Sequence, residues 1–207
     1  YAFVHRTFLE YFCAADFVHQ FNVAKTLDID GLIALFDKHC RDDEWREVLR
    51  LICGQIDEQF VGRIVERLAT RTDLEKWDGR TPLPELSLAI ACMNDVRNLS
   101  RMKSAGETLW NSCLEVLRCI GTAMDAKVAC EAVLNSAIET GTAWPGNLSI
   151  PSTFKWKYGT DATWGQTFMP QLIVAVRPDR ERVTSLLEDS LWAIREGACP
   201  ALAEKWP

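Results

Sequence analysis

The sequence predicts an all-α fold, a HEAT-like or irregular helical array of the α-solenoid type, on three observations. Apolar residues recur with helical period along most of the chain. The stripes they form come in successive pairs separated by only a few residues, with no strict sequence repeat. The departure from helical period is concentrated in one proline-, glycine-, threonine- and tryptophan-rich stretch, TAWPGNLSIPSTFKWKYGTDATWGQTF, over 142–168.

The opening residues alternate, Tyr1 and Phe3 against Ala2 and Val4, and read as the end of a strand. Thr7-Phe8-Leu9-Glu10 matches a capping box, in which the Thr7 hydroxyl bonds an orphan backbone N–H and Glu10 reaches back to the cap. The helix it starts, FLEYFCAADFVHQF, is apolar around most of its circumference, so it is expected to lie clamped between two layers. A second helix spans about 27–41 and carries Leu32, Leu35 and Phe36. In the next, Trp45, Val48, Leu49, Ile52 and Ile56 form a stripe, with Asp42 or Asp43 as the cap. Phe60, Val61, Ile64, Val65 and Leu68 mark a fourth helix, and the short break at Gln55 to Glu58 makes the two an antiparallel hairpin.

After the turn-rich WDGRTPLP, Leu83 to Val96 is apolar on several faces and should be buried between neighbours. Leu109, Cys113, Val116, Leu117 and Ile120 give another stripe, and a helix of small residues follows from about Ala126 to Ile138. In the 142–168 stretch Phe154, Trp156 and Tyr158 alternate before Gly159, as in a short aromatic hairpin or an ordered loop. The chain ends helically, with Val183, Leu186, Leu187, Leu191 and Ile194 in register after Pro178.

Composition excludes several function classes. The chain has 207 residues, 48% hydrophobic and 25% charged, which is ordinary for a folded protein. A formal charge of -6 argues against nucleic acid as an obligatory partner, because phosphate neutralisation needs a concentrated basic surface. No run reaches the roughly 18 apolar residues of a membrane span and no secretory leader pattern opens the chain, so a cytoplasmic location is the expectation. The eight cysteines are scattered, without C-x-x-C or the histidine spacing of a zinc site, and read as buried small hydrophobes.

Few residues offer chemistry. Asp42, Asp43 and Glu44 read as a solvated helix start, and His19 and His39 as surface or packing residues. Glu10 fits a capping role better than that of a general base. His5 is the exception, since it precedes a helix N-terminus and stands beside Arg6. There an imidazole can bond the backbone of the turn, or donate to a phosphate oxygen where the helix dipole favours anions. Trp144, Trp156, Tyr158 and Trp164 carry large apolar area among loop formers, so they either cap the end of the array or face a partner.

The stretch F-V-H-R-T-F-L-E-Y-F-C-A-A resembles the signature near the end of the winged-helix region of NACHT-family STAND nucleoside triphosphatases, the group of the bacterial and animal NOD-like receptors. Phe3, His5, Phe8, Glu10, Phe12, Ala14 and Ala15 carry the likeness, and DDEWREVLRLICGQI and LSLAIACMNDVRN resemble later helices of bacterial members. The resemblance implies that 1–22 is the end of a winged helix, 23–141 a helical-repeat array, 142–168 an aromatic-rich insertion and 169–207 C-terminal helices. It implies that His5 contacts the β-phosphate of ADP in a closed state. It further implies an ATPase core in the same parent chain, a protein or other trigger, oligomerisation on activation and a role in antiphage defence. The sequence contains no G-x-x-x-x-G-K-[ST] loop, so ADP or ATP is expected only in the context of a longer parent, and this chain is not expected to be an enzyme by itself. The reading from a different class is a free-standing helical scaffold for protein contacts, without nucleotide dependence.

Overall fold

The computed structural model describes residues 6–74, 82–119, 124–140, 143–150, 154, 155, 166, 168–176 and 180–206. Among these residues it has ten α-helices and no strand: α1 (Arg6–His19), α2 (Ile29–His39), α3 (Arg46–Cys53), α4 (Glu58–Arg71), α5 (Pro84–Asn94), α6 (Lys103–Cys119), α7 (Met124–Thr140), α8 (Phe168–Val176), α9 (Arg180–Ser185) and α10 (Trp192–Lys205).

Local chemistry sets most of the helix starts. The Asp28 carboxylate accepts from Gly31 N at 2.8 Å to cap α2, and the Asp57 carboxylate accepts from Gln59 N at 3.0 Å to cap α4. Pro84 stands at the first turn of α5, where its missing N–H costs nothing. Two expected caps are corrected. Thr7 lies inside α1, and Glu10 accepts from Arg6 Nε at 2.7 Å instead of reaching back to a cap. Asp42 accepts from Glu44 N at 3.0 Å in a turn that precedes α3, whose cap position is Trp45.

The helices pack in two interleaved series. Along one, α1 touches α3, α3 touches α5 and α5 touches α7; along the other, α2 touches α4 and α4 touches α6. Contacts of α4 with α5, α5 with α6 and α6 with α7 join the series. The antiparallel hairpin expected of α3 and α4 is corrected: α3 packs mainly on α1 and α5, and α4 on α2, α5 and α6, so over this part of the chain each helix buries its apolar stripe chiefly against the next but one. The core runs through it continuously, from Leu32, Leu49 and Ile64 to Leu88, Met93, Leu109, Leu117 and Leu134. As expected of a helix apolar on several faces, α5 buries Leu86, Leu88, Ala89, Ile90, Cys92 and Met93 among four neighbours.

The C-terminal region departs from the predicted single stripe. After Ser185 the chain tightens into a 3₁₀ turn, Leu186–Glu188, and α10 restarts at Trp192, with Asp189 accepting from Leu191 N at 2.8 Å. Leu187 is consequently exposed, while Val183 and Ile194 are buried.

Candidate functional site

α1 carries Phe8, Glu10, Phe12, Ala14 and Ala15, and the structure corrects how it is buried. At 100° per residue, Ala14, Phe17 and Phe21 lie on one side of the helical path and Leu9, Phe12 and Asp16 on the other. The first side is packed: Ala14 and Phe21 are buried, Phe17 lies 6.1 Å from the Trp45 ring, and Phe21 meets Phe60 edge-on at 5.0 Å. The second side is open, with Phe8 52%, Leu9 53%, Tyr11 48% and Phe12 59% exposed. The expected clamp between two layers is therefore half made. The Tyr11 and Phe12 rings meet edge-on at 5.7 Å, so the open surface continues around the helix toward α3.

There Tyr11 forms one wall of a groove of about 440 Å3, lined also by Glu47, Arg50, Leu51, Gly54, Gln55, Asp95 and Arg97. Arg50 closes two of its three charged neighbours onto itself. Its Nε and NH2 groups donate to the two Asp95 oxygens at 2.9 and 3.0 Å, and NH1 donates to Glu47 at 3.1 Å. The bidentate bond to Asp95 is the main reason that the Arg50 pKa is raised further above its ordinary value. Arg97 is exposed, and among the described residues it has no hydrogen-bond or ion-pair partner. Its five N–H donors are available to a ligand.

A second depression, of about 800 Å3, lies where the C-terminal end of α4 meets α6 and is lined by Arg71, Asp73, Thr108, Asn111, Glu115 and Arg118 among others. Its arginines are engaged: Arg118 Nε donates to Glu115 at 2.9 Å, and Arg71 NH1 donates to Asp37 at 2.7 Å. Arg71 belongs to a network across α2, α4 and α5. Asp37 also accepts from Arg67 at 2.9 Å, and Glu85 Oε1 accepts from Arg41 Nε at 2.6 Å with Arg71 at 3.9 Å. Glu85 is 1% exposed, and its Oε2 is buried with no hydrogen-bond partner. The network ties three helices together and presents no reactive pair.

His5, Trp156, Tyr158 and Trp164 lie outside the described residues. Trp144, the remaining residue proposed for a partner surface, is 5% exposed. Its indole sits edge-on to buried Trp110 at 6.5 Å and donates to Asn94 Oδ1 at 3.4 Å. Of the two roles left open for Trp144, the partner surface is thus corrected, and its burial fits the packing alternative, in which it holds the 143–150 segment on α5 and α6. His39 has the packing role that was expected, stacked on Trp45 at 3.9 Å, and Asp42, Asp43 and Glu44 are exposed before α3.

Metal and thiol chemistry find little support among the described residues. No three His, Cys, Asp or Glu side chains are grouped to hold a metal ion. Cys40, Cys53, Cys92, Cys113 and Cys130 are buried, as expected of small hydrophobes, while Cys199 is exposed. Burial pushes the Cys113 thiol up to about 12, which keeps it protonated and unreactive. No described helix is long and apolar enough to cross a membrane.

Sequence reasoning missed the groove because Arg50, Asp95 and Arg97 come from segments about 45 residues apart, as the Arg50–Asp95 bond shows. The open face of α1 does have a signal, namely apolar residues on both sides of one helix, more than packing against a single neighbour requires. Compared with known proteins, the chain matches no family model, no curated protein and no solved structure.

Proposed function

We propose that this chain is the regulatory helical region of a NACHT-type signalling ATPase and works by protein contact, not by chemistry of its own. The observation that carries the reading is the open aromatic face of α1, on the helix that bears Phe8, Glu10, Phe12, Ala14 and Ala15 of the motif. A trigger bound there sits within a few residues of His5, the residue that the resemblance assigns to the ADP β-phosphate. Trigger binding would shift the closed–open equilibrium of the parent by its differential affinity for the two states, releasing ADP and permitting oligomerisation. Cytoplasmic antiphage signalling is the setting that the resemblance supplies.

The test compares ADP retention and basal signalling of the longer parent with and without His5→Ala. Faster ADP loss with raised basal signalling supports the reading, and no change in either refutes it. A free-standing scaffold without nucleotide dependence is favoured by one observation, that the described clefts hold their cations in internal ion pairs apart from Arg97 and Lys155. That second reading is the one left standing if His5→Ala changes nothing.

A further inference from the structure

We infer that Cys53 and Cys92 form a redox-sensitive dithiol, which hydrogen peroxide converts into an intramolecular disulfide that joins α3 to α5. The inference goes beyond the proposed function and does not depend on it.

Cys53 ends α3 and belongs to its buried stripe with Val48, Leu49 and Ile52, and Cys92 lies in α5, which packs against α3. Both are buried, at 1% and 0% exposure. The helices converge at this level. A Cβ added to Gly54 would lie 3.7 Å from the Asp95 carbonyl oxygen, and Asp95 stands one turn beyond Cys92 on the same side of α5. Backbones that close let two facing cysteines meet the Cα separation of about 4.4–6.8 Å that a disulfide needs. The two thiols are neighbours, within hydrogen-bonding reach of each other. Cys13, Cys40 and Cys113 have no thiol among the groups that act on them.

The surroundings of the two sulfurs are unequal, and this divides their roles. Arg50, one turn before Cys53, interacts electrostatically with Cys92 and donates to both Asp95 oxygens. It can balance charge that develops on the Cys92 sulfur as its proton leaves. Cys53 keeps its proton: burial pushes its thiol well up, and the hydrogen bond to Cys92, the Cys92 charge and Asp95 act in the same direction. Cys92 is therefore the attacking sulfur and Cys53 the resolving one. The Arg50 side chain is 36% exposed, so a solute as small as peroxide comes within one side chain of the pair.

Two displacements complete the reaction. The Cys92 sulfur attacks one peroxide oxygen, the O–O bond breaks, and the departing hydroxide takes up the Cys92 proton as water, leaving a sulfenic acid. The Cys92 charge that helped to hold the Cys53 proton is then gone. Cys53 attacks the sulfenic sulfur, the S–S bond forms, the S–O bond breaks, and the departing hydroxide takes the Cys53 proton. Two thiols are oxidised, one peroxide is reduced, and two waters leave.

The test treats the whole folded chain with hydrogen peroxide, alkylates the remaining thiols under denaturing conditions and maps the peptides by mass spectrometry without reductant. The expected product is a linked Cys53–Cys92 peptide pair lacking two hydrogens, which dithiothreitol reverses. A bond that closes a loop of roughly 40 residues should raise Tm by about 5–15 °C. Dimedone added with the peroxide should label Cys92 ahead of Cys53, and Cys53→Ala should leave Cys92 as the labelled residue. Circular dichroism checks that this variant folds, and the order of labelling in the unsubstituted chain decides the roles if it does not. No link, a link that forms only in urea, or a link from either residue to a different cysteine overturns the inference. So does a cross-linked chain with an unchanged or lower Tm, or labelling of Cys53 ahead of Cys92.

Discussion

Gly106 in α6 is the point where the 143–150 segment comes closest to the helical array, and replacing it with alanine tests how that segment is held. A Cβ built there would clash with the Pro145 carbonyl oxygen and lie 3.1 Å from Pro145 Cδ. Pro145 would have to retreat by roughly an ångström or more to reach van der Waals separation. The movement pulls on Trp144, on the bond from Asn147 N to Glu107 at 2.9 Å, and on the bond from Trp110 Nε1 to Ser149 O at 3.1 Å. Overpacking costs about 1–3 kcal/mol, and each weakened hydrogen bond up to about 1 kcal/mol. Alanine's better helix propensity returns about 1 kcal/mol. The net loss is about 2–3 kcal/mol, which for a chain of this size lowers Tm by roughly 5–10 °C. Gly62 in α4 is the internal control, because its added Cβ would meet Ala105 and Met102 side-chain carbons at 3.8 Å, an ordinary contact. Gly62→Ala should therefore keep the propensity gain and raise Tm by about 2–4 °C. Thermal unfolding followed by far-UV circular dichroism reads both variants. A Gly106→Ala protein as stable as the parent sequence, or the same sign for both substitutions, would refute the packing argument.

Arg41→Ala leaves the buried Glu85 carboxylate with Arg71 at 3.9 Å as its nearest cation, and should cost about 2 kcal/mol, below the usual range because Arg41 is largely exposed. Adding Glu85→Leu should recover most of that loss in urea unfolding; a single variant within about 0.5 kcal/mol of the parent, the spread of neutral surface changes, would count against the network. Trp144→Ala should cost about 3–5 kcal/mol and diminish the near-UV signal, whereas an unchanged midpoint would return Trp144 to the surface. The Cys113 thiol stays protonated in the fold up to about 12 against an ordinary 9.0, so its contribution to stability is complete below pH 9 and is lost as pH rises through that window. Stability should fall across it by up to about 1.4 kcal/mol per pH unit for this thiol, and Cys113→Val should flatten the slope; equal slopes would refute the assignment.

What was legible in the sequence follows from which forces are local. Helical period and stripe composition depend on neighbours three and four residues away, so α2 to α6 emerged with their core residues, Leu32, Leu49, Ile64, Leu88 and Leu109 among them. The caps at Asp28 and Asp57 bind amides three and two residues on and are equally local, although no cap was expected at either, while the caps expected at Asp42 and Thr7 are displaced by only a turn. Trp144 was illegible because its burial depends on Gly106 admitting Pro145 and on Asn94 lying within reach of the indole, 50 residues back. Arg97 was illegible for the same reason. Nothing in its own segment shows that Arg50 has already taken Asp95.

The outer faces of α1 and α10 differ in composition. An exposed helix face is ordinarily polar, because a contiguous apolar one associates. α10 meets this requirement over most of its length. It buries Ala193, Ile194, Ala198 and Ala201 and turns Glu196, Glu204 and Lys205 outward, with Trp192 at its start the one large exposed apolar side chain. α1 does not meet it, since Leu9, Tyr11 and Phe12 occupy positions where α10 carries charge. A face of that composition tends to associate, so its exposure should be measurable in the isolated chain. Leu9→Lys with Phe12→Glu should raise the concentration at which light scattering begins while leaving the unfolding midpoint within about 2 °C, because neither side chain packs in the core. A midpoint that falls by much more would mean that the outer side of α1 is already covered by this chain.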